Sequence, residues 1–167
     1  MEITTDINLR GTVWNVAIEK LSEIFKTRPN YMVYMLSLSI GIMYDQRVDK
    51  LPAEEGEDVK TVPRNVIRNN DNGKLDFMFQ AAILSTTTEQ FSEEERLDLA
   101  FGEKTDFKKI DFLTQFANFG VTKLVEQIGE TAIESMECIK NFLVSTVEGR
   151  NLEIDALPDD ILLNEDI

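Results

Sequence analysis

Apolar residues return every third or fourth position along most of this chain, the spacing of one face of an α-helix, and no strand alternation or fixed-period repeat competes with that reading. From Thr12, the positions Val13, Trp14, Ala17, Ile18, Leu21, Ile24 and Phe25 share a face, with Glu19, Lys20 and Glu23 opposite, which predicts an amphipathic helix. Thr27 offers a cap and Pro29 suits a first helical turn, so a second helix is expected to run to about Tyr44. That segment is apolar nearly all round, interrupted by Ser37, Ser39 and Gly41, and falls short of the ~20 residues that span a bilayer. It is expected to be the central helix of the fold.

Residues 46–63 carry Pro52, Gly56, Pro63 and the acids Glu54, Glu55, Glu57 and Asp58 with little periodicity, and read as an exposed, mobile connector. A short helix is expected over Val62 to Asn70. Asp71-Asn72-Gly73 is then a turn, since these residues tolerate positive φ. The next helix, about Lys74 to Ser85, offers Leu75, Met78, Phe79, Ala82 and Ile83 to the core. Ser92 with Glu95 forms a capping box ahead of a helix ending at Gly102. Thr105 starts another that runs through Ile128 to Gly129, and a last helix begins near Thr131 and stops at Gly149. The expected architecture is an irregular all-α bundle of five to seven helices over residues 1–149, followed by an acidic tail over 150–167.

Charge changes this picture more than length does. The 167 residues hold 17 Lys+Arg against 31 Asp+Glu, a formal net charge of −14, with no histidine and one cysteine. The first fifty residues are neutral, and twelve of the fourteen net negative charges lie in 51–100 and 151–167. Such a balance disfavours DNA, RNA and anionic membrane as direct partners, because affinity for them comes largely from Lys and Arg. Without histidine, His-based general bases, Ser–His or Cys–His nucleophiles and His-containing zinc or di-iron sites cannot be built from this chain. One cysteine forms no internal disulfide, which suits a reducing compartment, and the N-terminus lacks a signal-peptide pattern, so a cytoplasmic protein is expected.

The remaining candidates for chemistry are few. Glu126, Glu130, Glu134 and Glu137 straddle the Gly129 turn, but solvated helix faces look the same, and no metal or other cofactor is expected. Asp111 and Glu126 do not argue a carboxylate pair for catalysis, and no phosphate-binding glycine loop or GxSxG turn occurs. Cys138 reads as a structural thiol, so no catalytic residue is assigned. Arg64 and Arg68 would share a face of a short helix, with Lys60 near, and could hold a partner's carboxylate or a phosphate; the bland alternative pairs them with the acidic loop at 54–58. In the tail, Leu157, Ile161, Leu162 and Leu163 interleave with acids and no base, a composition that folds onto a partner's basic, apolar groove. Self-packing of these aliphatics is the alternative.

Thr27-Arg-Pro-Asn30 leading into Tyr31-Met-Val-Tyr-Met-Leu-Ser-Leu-Ser39, together with Phe112-Leu-Thr-Gln-Phe-Ala-Asn-Phe-Gly-Val-Thr-Lys-Leu124, resembles the helical layout of the DndE family. These are small accessory subunits of prokaryotic DNA phosphorothioation, a modification tied to phage defence. The resemblance implies a non-catalytic subunit of a nucleic-acid-directed machine. The family's basic, DNA-contacting surface has only Arg64, Arg68 and Lys123 as counterparts in this acidic chain. The function expected is therefore that of an accessory or adaptor subunit, not an enzyme, acting by protein–protein contact, with homo-oligomerisation left open. Two other readings stand beside it: a DNA-mimicking inhibitor using the negative surface, and an enzyme completed by residues from a partner.

Overall fold

In a computed structural model of the protein, residues 3–87, 91–102 and 107–154 are described, with side chains as far as residue 146. They form seven α-helices: α1 (Thr12–Leu21), α2 (Pro29–Met43), α3 (Arg64–Asn70), α4 (Lys74–Ser85), α5 (Glu93–Phe101), α6 (Lys109–Val125) and α7 (Ala132–Ile154). Two short strands, β1 (Ile7–Leu9) and β2 (Lys60–Val62), pair antiparallel with Ile7 opposite Val62. The fold is all-α, as the periodicity implies.

The centre of the bundle is the crossing of α2 with α6. Helix α2 buries Tyr31, Val33, Tyr34, Ser37, Leu38, Ile40 and Gly41, which explains why it is apolar on more than one side: α1 and β2 cover what α6 does not. The two backbones approach closely because glycine stands at the contact. A Cβ on Gly120 would fall on the Ser37 carbonyl oxygen, and one on Gly41 would fall on that of Phe116. Trp14, Leu113, Phe116, Ala117 and Val121 close the core around this crossing.

Several local expectations are met. Pro29 opens α2, Asn72 and Gly73 take φ of 50° and 81° between α3 and α4, and the capping box at α5 is formed. There, the Glu95 N–H donates to Ser92 Oγ at 3.2 Å and the Ser92 N–H to Glu95 Oε2 at 2.8 Å.

Others are corrected. The final helix does not stop at Gly149 but continues to Ile154, across the expected boundary between domain and tail. One mid-helix glycine costs only about 1 kcal/mol, which helix-forming neighbours on both sides offset. The 46–63 connector is not loose: the Val48 N–H donates to the Gln115 carbonyl, the Thr12 N–H to that of Pro52, and residues 60–62 are strand β2. Helix α1 ends at Leu21, with Ile24 and Phe25 N–H groups closing a turn onto its carbonyl. Arg28, in a left-handed conformation, stands at the α2 N-cap in place of Thr27. Helix α6 ends at Val125, three residues before Ile128, and Thr105 lies outside the described residues.

Candidate interaction site

The sequence-predicted basic pair is brought together on the exposed side of α3, one turn apart. Arg64 is tied to the N-terminal segment: its backbone N–H donates to Asp6 Oδ1 at 2.8 Å and its guanidinium to the Thr4 carbonyl at 3.1 Å. Pairing of the arginines with the acidic loop does not supply these contacts. Glu57 instead faces α1, accepting from Asn15 Nδ2 at 2.5 Å. Lys123 donates to Glu126 at 2.8 Å, which holds its ammonium above the usual lysine range. Leu157, Ile161, Leu162 and Leu163 lie outside the described residues.

A cleft of about 450 Å³ opens beside the α6 N-terminal half. Its wall carries Arg47 and Lys108 together with Asp49 and Asp111, so its cations are matched by anions and it presents no single-signed field for an anion. The Arg47 guanidinium lies 5.1 Å from the Phe112 ring centre and 5.5 Å from that of Phe116, and donates to Gln115 Oε1 at 3.2 Å. This arrangement fixes the turn after α2 against α6. Among the described residues, no three His, Cys, Asp or Glu side chains group closely enough to hold a metal ion.

Buried polar groups serve the fold. The Asp71 carboxylate accepts from the Leu75 N–H and from the Tyr31 hydroxyl at 3.0 Å, linking α2 to the α3–α4 turn. Burial, then that bond, push the Tyr31 hydroxyl well above the usual tyrosine range, and burial does the same to Tyr34.

The surface that stands out is the outer side of the α4–α5 hairpin. Arg96 locks the two helices, donating to the Ile83 carbonyl at 2.6 Å, and Gln80 Nε2 donates to the Ala100 carbonyl at 3.2 Å. With Leu75, Phe79, Ala82 and Ile83 facing inward, Phe77 and Leu84 fall on the opposite face of α4. Leu99 and Ala100 likewise turn inward on α5, which leaves Leu97 and Phe101 outward, one turn apart. Phe77 is 67% exposed and Phe101 65%. Sequence reasoning missed this face because it counted the inward positions alone. The signal was present in Phe77 and Leu84, seven residues apart and out of phase with the core positions.

Comparison with known protein families, with curated proteins and with solved structures returns no match. The likeness to the DndE family thus rests on the residues quoted for it. Among the described residues, no helix is long and apolar enough to cross a membrane.

Proposed function

We propose that this chain is a non-catalytic, cytoplasmic accessory or adaptor subunit that works by protein–protein contact, within a prokaryotic nucleic-acid-directed, antiviral complex as the DndE likeness suggests. One observation carries the contact part of this reading: four large apolar side chains, Phe77, Leu84, Leu97 and Phe101, are exposed on the outer faces of one helical hairpin. Large apolar side chains left exposed together on one supersecondary unit are the composition of a protein contact site. Glu93 and Glu94 lie on the same hairpin, so the partner surface that fits is apolar with a basic rim. The acidic tail and the Arg64–Arg68 face are secondary contact elements in this reading.

The DNA-mimic alternative draws less support. It needs carboxylates free along one strip at roughly phosphate spacing, whereas Asp6, Glu57, Asp71, Glu95 and Glu134 accept hydrogen bonds from the protein itself.

Tagged full-length chain purified from its native host tests the proposal. The wild type is expected to retain a stoichiometric partner that a Phe77→Ser, Phe101→Ser variant of unchanged circular dichroism loses. A lone monomer with no retained partner would overturn it.

A further inference from the structure

Helix α7 carries two stripes, and only one belongs to the core. Ser135, Ile139, Phe142 and Leu143 face the body, Ser135 and Ile139 being buried and Phe142 stacking on Tyr44 with ring centres 6.2 Å apart. On the opposite side stand Ile133, Glu137, Lys140 and Val144, all exposed, Ile133 by 70%. Their spacing of four, three and four residues is that of a coiled-coil seam, and it places them in a narrow strip away from the body. Among the described residues neither the Glu137 nor the Lys140 side chain has a hydrogen bond or an ion pair.

The strip reads apolar, acid, base, apolar, and its spacing is unchanged by reversal about the midpoint between Cys138 and Ile139. Running the helix against a second copy therefore sets Ile133 opposite Val144 of that copy and Glu137 opposite its Lys140, each pairing occurring twice. That is the condition for an isologous, two-fold contact. A parallel pairing would instead oppose Glu137 to Glu137 and Lys140 to Lys140. We infer that the outer strip of α7 is a self-association surface, and that its occupant is a second copy of this chain, docked antiparallel through α7. One helix strip buries less than a standard interface, so the dimer is weak and depends on concentration.

Sedimentation equilibrium of the full chain over a concentration series tests this directly. The wild type is expected to dimerise reversibly. Lys140→Glu or Glu137→Lys alone sets like charges against each other across the two-fold and should weaken association by about tenfold or more. Mixing the two single variants should restore it, because each then supplies the charge the other lacks, and the double variant Glu137→Lys, Lys140→Glu should dimerise with itself. Both positions are exposed, so circular dichroism should not change. A wild type that stays monomeric throughout, a dimer indifferent to the single reversals, or a mixture that fails to associate would each overturn the inference. None of these outcomes depends on the α4–α5 face.

Discussion

Trp14 Nε1 donates to Asn118 Oδ1 at 3.0 Å, a buried bond joining α1 to α6 across 104 residues of sequence. The same Asn118 turns its Nδ2 to the carbonyls of Val48 and Asp49 at 3.1 and 3.2 Å. One amide thus holds two helices and the connector that the sequence pattern presents as loose. Replacing Asn118 with Ala orphans the indole N–H and two carbonyls, and is expected to cost about 2–4 kcal/mol. Urea unfolding of the variant checks this, and a loss under 1 kcal/mol would mean that water takes over the amide's role.

The glycines at the α2–α6 crossing should tolerate nothing larger. Gly120→Ala puts a methyl group on the Ser37 carbonyl oxygen, so the helices must separate or shift along each other. The expected loss is about 3 kcal/mol or more, at the upper end for overpacked cores. Gly73→Ala meets no neighbouring atom and is limited to the strain of its positive φ, about 1 kcal/mol. Thermal melts of the two variants should rank them in that order.

Alkaline stability should report Tyr34. Its folded-state pKa is raised, chiefly by burial, so the protonated hydroxyl is favoured in the folded state. The contribution is fully present below the unfolded value, about pH 10, and declines as pH rises beyond it because the unfolded chain then gives up the proton first. Each such tyrosine adds at most about 1.4 kcal/mol of loss per pH unit. Tyr34→Phe should flatten the fall of melting temperature above pH 10 relative to its own value at pH 8, and an unchanged slope would show that other groups dominate.

Phe101→Ser should separate binding from folding. Its ring is largely exposed, so stability is expected to change by no more than about 0.5 kcal/mol, the range of ordinary surface substitutions. Phe112→Ser, whose ring is buried beside Phe79 and Phe116, should cost about 3–5 kcal/mol in the same assay. A comparable loss at both positions would argue that the Phe101 ring is covered in solution.

Periodicity made the longer helices readable because the core faces of α4 and α6 repeat over three or more turns, and cap and turn chemistry at Ser92 and Asn72-Gly73 added boundaries. The β1–β2 ribbon was not readable. Three residues are too few to display alternation, and Ile7 finds its partner at Val62, far along the chain. Gly149 misled because a glycine near the end of a periodic run signals a stop only where the residues after it cannot continue the helix. For the interaction site, Arg64 and Arg68 were identifiable as a shared exposed face. The α4–α5 surface was legible only in part: Phe77 and Leu84 stand out of phase with the α4 core positions, but that they join Leu97 and Phe101 on one hairpin follows from tertiary packing.

The crossing of α2 with α6 also bears on how the chain is made. Tyr34 and Thr114, which meet there, are 80 residues apart in sequence. At about 5–20 residues per second, α2 leaves the ribosome roughly 4–16 s before the helix that covers it. During that interval its apolar sides have only α1, the ribbon and the α3–α4 turn to shield them, so newly made chains are expected to engage ribosome-associated chaperones and to aggregate when synthesis is interrupted between α2 and α6.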